Sequence, residues 1–146
     1  MKNKKGFTLV ELLAVIVVLA IIMIIAIPQV MDSMNAAKKN SFKIYAQKVL
    51  NTAITQHQAE ALTLSGTPNN CYKVSSLMGN GKGNYVGYVI VNNGTFTVFI
   101  KDGSYYVKDA AYADLEKTTN TSDTKTIQSG IPDPDITETP TGYTCS

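Results

Sequence analysis

Few side chains in this sequence have the types and spacing that chemistry requires. His57 is the single histidine, so no Ser/His/Asp or Cys/His pairing can be assembled around a second one. It falls on a helical stretch and reads as an exposed polar residue rather than a ligand. Cys71 and Cys145 fit no metal-ligand spacing. In an exported chain such a pair reads as one disulfide, closing a loop of about 75 residues and worth roughly 4 kcal/mol in the chain-entropy picture. In reducing surroundings the same pair is two free thiols. Asp133, Asp135 and Glu138 are hard oxygen donors of the kind calcium takes, but Pro132 and Pro134 between them spell plain loop and no calcium-loop spacing is present. The glycines at 79, 81, 83 and 87 lack the strand-to-helix context of a phosphate-cradling loop. The sequence therefore predicts no enzyme, no cofactor and no bound metal.

The acid that stands out is Glu11, the only charge in an apolar stretch from Phe7 to Val30. About 24 residues at 1.5 Å rise give roughly 36 Å of helix, enough to cross a hydrocarbon core of about 30 Å. A carboxylate in such a helix costs about 2.5–3.5 kcal/mol at the bilayer centre and less at the interface. Either it snorkels to the headgroups or it has a task. Lys2, Lys4 and Lys5 precede the apolar stretch, which favours a cytoplasmic N-terminus. Lys38 and Lys39 on the far side blur that signal. An ordinary secretory signal has a shorter apolar region and a small-residue exit, and neither is found here.

The run Lys4-Lys5-Gly6-Phe7-Thr8-Leu9-Val10-Glu11-Leu12-Leu13 resembles the class III signal of type IV prepilins and pseudopilins. A short basic leader ends in Gly, and Phe then Thr-Leu-x-Glu open a long apolar helix. Gly6, Phe7, Glu11 and Pro28 all fall where that family has them, and the resemblance covers about the first third of the chain. It implies that a membrane-embedded prepilin peptidase cuts between Gly6 and Phe7 and that the freed amino group of Phe7 is N-methylated. It also implies that Glu11 pairs with the Phe amino group of a neighbouring subunit during assembly. Loss of the leader removes three of the thirteen lysines and turns the side-chain balance from +2 to −1. Pro28, inside the helical pattern, removes one backbone hydrogen bond and kinks or opens the helix.

These residues must be positioned by a few elements. After Pro28 the chain stays helix-permissive to about Leu62, and Phe42, Tyr45, Ala46, Val49 and Ala53 form one apolar stripe. Ser65-Gly66-Thr67-Pro68 stops the helix. The stretch from Asn69 to Lys82 reads as irregular, with a helical turn near Val74–Met78. Tyr85–Val91, Thr95–Lys101 and Tyr105–Val107 then read as a three-stranded antiparallel meander. Its turns are at Asn92-Asn93-Gly94 and Asp102-Gly103, and Phe96, Val98 and Ile100 share one face. Beyond Thr118 the pattern is loop, with a short strand near Thr126–Gln128. The expected class is α+β: a long N-terminal helix under a small antiparallel sheet of three or more strands, with a C-terminal loop. The expected organisation is a leader over 1–6, a membrane or filament-core half-helix over 7–31, an amphipathic half-helix over 32–64 and a globular β head over 65–146.

Charge is laid out unevenly. Lys38, Lys39, Lys43 and Lys48 follow the apolar block, whereas three lysines face seven acids from Lys108 onward. This reads either as solvated faces or as complementary charge between subunits. The head carries no basic excess, so nucleic acid is not an expected partner. The resemblance implies a polymer of identical subunits serving adhesion, motility or aggregation. The partners it implies are the peptidase, the pilus assembly machinery and, before assembly, the lipid bilayer. The subunit would be single-pass in the cytoplasmic membrane, then a surface pilus. A pseudopilin of a type II secretion or competence machine needs the same stem. A third reading, an uncleaved signal anchor, keeps Lys2–Gly6.

Overall fold

The structure is a computed structural model and describes residues 6–63, 67–79, 84–117, 125–130 and 135–146. Lys2, Lys4, Lys5, Ser65, Gly66 and Asp133 lie outside the described residues. The chain divides into two units, Met1–Lys38 and Lys39–Ser146.

Helix α1 runs Leu9–Leu62. Its residues through Lys38 are exposed, large apolar side chains included. The helix passes through Pro28 without interruption. Proline has no N–H, so the carbonyl of Ile24 loses its usual partner there.

In the second unit the apolar stripe of α1 becomes a core. Phe42, Ala46, Val49, Leu50 and Ala53 are buried, with Tyr45 packed at the edge. Leu50 joins the expected stripe because it stands four residues from Ala46. The partner is a five-stranded antiparallel sheet in sequential order, formed by β1 (Cys71–Lys73), β2 (Val86–Asn92), β3 (Thr95–Lys101), β4 (Tyr105–Ala110) and β5 (Gln128–Ser129). Two short helices complete it, α2 (Val74–Met78) and α3 (Tyr112–Glu116).

Period-two alternation sorts the sheet into two apolar faces. Tyr72, Val89, Val91, Val98, Ile100 and Val107 meet the helix stripe. On the opposite face Cys71, Tyr88, Ile90 and Cys145 form a second cluster with Phe99, and the rings of Tyr88 and Phe99 stack at 4.9 Å. The β2–β3 register pairs Tyr88 with Phe99 and Val89 with Val98, which keeps each face uniform. Asn93 and Gly94 both have positive φ at the hairpin between these strands, the geometry an Asn-Gly turn favours. Gly87 is opposite Ile100, and a Cβ there would collide with the Phe99 carbonyl. The β3–β4 register slips between Val98 and Ile100, where Asp109 takes a positive φ as the extra residue of a bulge.

Two edge strands lie where irregular chain or a slightly different span was expected. β1 falls in the stretch read as irregular, and β5 sits at Gln128–Ser129 rather than Thr126–Gln128. Both are short and owe their conformation to the neighbouring strand rather than to local propensity.

Candidate assembly and processing site

The start of α1 carries the residues singled out for processing and assembly. Gly6 has open space where a side chain would project, and Phe7 is 86% exposed. Helix α1 begins at Leu9, which makes Thr8 its N-cap and Glu11 the third helical residue. The Thr8 amide donates to Glu11 Oε2 at 2.9 Å, and the Thr8 hydroxyl donates to the same oxygen at 2.9 Å. In return the Glu11 amide donates to Thr8 Oγ1 at 3.3 Å. This reciprocal arrangement is a capping box, and it satisfies amides that the first turn of a helix otherwise leaves orphaned. The acid also sits where the positive end of the helix dipole favours it. The sequence carries the signal, since Thr8-x-x-Glu11 before an apolar run is a capping signature, although Glu11 stood out there as a charge in lipid and an assembly partner.

The capping box is compatible with cleavage after Gly6. Cutting the Gly6–Phe7 bond leaves the Phe7–Thr8 peptide intact, so the Thr8 amide remains a donor. The cut would place a new amine on Phe7, four residues before a carboxylate whose Oε2 already accepts from Thr8.

The far end of α1 holds a network that the sequence did not announce. The Glu60 carboxylate accepts from the Asn69 amide at 3.0 Å, the Tyr72 hydroxyl at 2.9 Å and Gln56 at 3.2 Å. His57 Nδ1 lies 3.0 Å from the Asn69 carbonyl and 3.1 Å from the Tyr72 hydroxyl oxygen. With the hydroxyl proton given to Glu60, both of those oxygens act as acceptors, which places the imidazole proton on Nδ1. His57 is thus a half-buried staple between α1 and β1, not the exposed residue expected, and its ring meets Phe96 edge-on at 5.3 Å. Desolvation works to raise the Glu60 pKa, but hydrogen bonds from Asn69, Tyr72 and Gln56, with the nearby His57, hold it below the usual carboxylate range. Burial first, and the bond to Glu60 second, push the Tyr72 phenol far above its ordinary value.

Cys71 and Cys145 form a disulfide across 74 residues of sequence. The bond does not act alone. The Lys73 amide donates to the Ser146 carbonyl at 2.9 Å and the Ser146 amide donates to the Cys71 carbonyl at 3.2 Å. Ser146 thereby makes a one-residue parallel bridge along the outer edge of β1. Ile136 is buried, Lys108 pairs with Asp135 at 3.6 Å and Lys125 pairs with Asp109 at 3.3 Å. Asp135 and Glu138 are both exposed, and Asp135 is engaged with Lys108.

Residues 1–27 match the family model described as the prokaryotic N-terminal methylation motif. That motif is the class III signal segment of type IV pilins and pseudopilins, and it takes in Gly6, Phe7, Thr8 and Glu11. No curated protein and no solved structure matches the chain.

Proposed function

We propose that the protein is a structural subunit of a type IV pilus. Made as a membrane-anchored precursor, it is trimmed between Gly6 and Phe7 by a prepilin peptidase and N-methylated on Phe7. It then polymerises through its apolar helix into a surface filament for adhesion, motility or aggregation. The supporting observation is the methylation motif at residues 1–27 opening an apolar helix whose large side chains are exposed. Nearly all large apolar side chains from Phe7 to Met34 are about half exposed or more, whereas the core residues of the second unit are closed from water. A chain that completes one core and leaves a second apolar surface open needs lipid or copies of itself to cover it.

In this reading 1–6 is the leader, 7–31 the membrane and filament-core segment, 32–64 the amphipathic half of the helix and 65–146 the head. Glu11 pairs with the Phe7 amine of the adjacent subunit, which rewards one stagger and penalises others. Pro28 bends the stem. The family to which the motif belongs is structural, and no reaction is assigned to this chain.

The test is mass spectrometry of the mature N-terminus combined with electron microscopy of the cell surface. An N-methylated Phe7 and surface fibres lost on deletion of the gene are the expected results. A chain that keeps Lys2–Gly6 would overturn the assignment. Methylated Phe7 without external fibres, together with a defect in secretion or DNA uptake, would assign the chain to a pseudopilus.

A further inference from the structure

Two turns of the sheet place an Asx side chain directly before glycine, Asn93-Gly94 between β2 and β3 and Asp102-Gly103 between β3 and β4. In both, the next backbone amide has no Cβ beside it to block approach to the side-chain carbonyl carbon. The structure treats the two turns differently. At the second, the Ser104 and Tyr105 amides both donate to Asp102 Oδ1 at 2.6 Å, and the Asp102 amide donates to the Tyr105 carbonyl at 2.9 Å. A carboxylate held in this way resists attack by a nucleophile.

Asn93 has none of this restraint. Asn92, Asn93, Gly94 and Thr95 are all exposed, and among the described residues no hydrogen bond engages the Asn93 side chain or the Gly94 amide. No atom lies within 4 Å of the position a Gly94 Cβ would occupy. The two residues take φ of 48° and 78°, a left-handed pair that asparagine and glycine tolerate best. The conformation that selects Asn-Gly for this hairpin therefore also sets a reactive dipeptide at its tip. Among the described residues Asn93 is the only asparagine followed by glycine, and Asn80-Gly81, the other such pair in the chain, lies outside them.

We propose that Asn93 is a site of spontaneous covalent modification, where deamidation through a succinimide converts the tip of the β2–β3 hairpin to aspartate and isoaspartate. The Gly94 nitrogen gives up its proton and attacks Cγ of Asn93. The bond from Cγ to the side-chain nitrogen breaks, and that nitrogen leaves as ammonia with the proton added. Water then opens the five-membered imide at one of its two carbonyls. Opening at the side-chain carbonyl gives aspartate, and opening at the main-chain carbonyl gives isoaspartate. The net exchange is one water taken up and one ammonia released, with no oxidant or second protein required. Either product adds a negative charge to the head. Isoaspartate also adds a methylene to the main chain of the two-residue loop that sets the Asn92–Thr95 pairing.

The test incubates the full chain, folded and oxidised in detergent micelles, in heavy-oxygen water and reads each asparagine by mass spectrometry. Asn93 should gain the labelled deamidation product on the order of tenfold faster than Asn92, whose successor carries a side chain. An isoaspartyl methyltransferase should then methylate the aged chain at position 93 and leave Asp102 untouched. Asn93→Gln lengthens the side chain past easy ring closure, so it should end methyl acceptance at this turn while the circular dichroism of the chain stays the same. Conversion of Asn93 no faster than that of Asn92 overturns the proposal. Conversion confined to the urea-unfolded chain also overturns it, because the folded turn then protects the residue. Methylation at Asp102 as fast as at position 93 would sink the contrast between the two turns on which the choice of Asn93 stands.

Discussion

Glu11 has one role in the capping box and a second that we propose in assembly, and one substitution can separate them. As part of the capping box it needs only an oxygen acceptor, which glutamine also offers. As the partner of a neighbour's amine it needs its charge. Glu11→Gln should therefore leave the precursor helical, stable and processed, yet reduce fibre yield by an order of magnitude or more. Wild-type fibre yield in that variant would confine Glu11 to helix capping. Gly6→Leu places a branched side chain beside the scissile bond, so the precursor should accumulate uncut on immunoblots; normal trimming would remove Gly6 from the recognition step. At the other end of α1, Tyr72→Phe deletes a donor to the Glu60 carboxylate and should lower stability by about 1 kcal/mol in urea unfolding. The pH dependence follows from the same carboxylate. Its folded pKa is depressed, so its contribution is present above the unfolded value of about 4.3 and is lost as pH falls through the folded one. Asp114, held low by its bond to Lys117, contributes in the same sense below its own unfolded value of about 3.9. The thermal midpoint of the head should drop as pH falls below about 4.3, and Glu60→Gln with Asp114→Asn should flatten that slope.

At the scale of elements the sheet depends on one tight approach. Gly87→Ala would put a methyl group against the Phe99 carbonyl and within 2.8 Å of the Ile100 Cα. Backbone cannot yield as a flexible side chain does, so β2 and β3 must separate or β2 must bulge. A loss of about 1–3 kcal/mol is expected by calorimetry, and an unchanged midpoint would show that β2 relaxes freely. The elements legible in the sequence were those whose own pattern settles them. The helix stripe from Phe42 to Ala53, the turn at Val74–Met78 and the alternation in Thr95–Lys101 needed no partner to be recognised. The edge strands did need one. Cys71–Lys73 has no alternation long enough to read, and it is a strand because Tyr72 lies opposite Val89. Strand β4 outran its expected end at Val107 because the bulge at Asp109 restores pairing at Ala110. The same limit applied to His57, whose partners Asn69 and Tyr72 lie twelve and fifteen residues away in sequence.

For the molecule as a whole the contrast lies between a half-helix whose large apolar side chains are exposed and a second unit that is closed on both faces of its sheet. The helix side closes through the apolar stripe, and the opposite side closes through Cys71, Tyr88, Ile90, Cys145 and Phe99. Cys145→Ser should destabilise the head by about 4 kcal/mol, given the 74 residues the bond spans. A change under about 1 kcal/mol would mean that Ile136, the two ion pairs and the Ser146 bridge hold the C-terminal segment unaided. Calorimetry of oxidised and substituted protein decides between them.

The bridge at Ser146 also bears on how molecules can join. A bare outer strand is a template onto which any extended peptide can zip, and copies that meet that way grow irreversible cross-β deposits. Here the Cys71 carbonyl and the Lys73 amide are already taken by Ser146, and the opposite edge is a strand of only two residues. In the proposed filament, neighbouring heads would therefore offer each other little free strand edge. Association of copies within it would then fall to the exposed apolar half of α1.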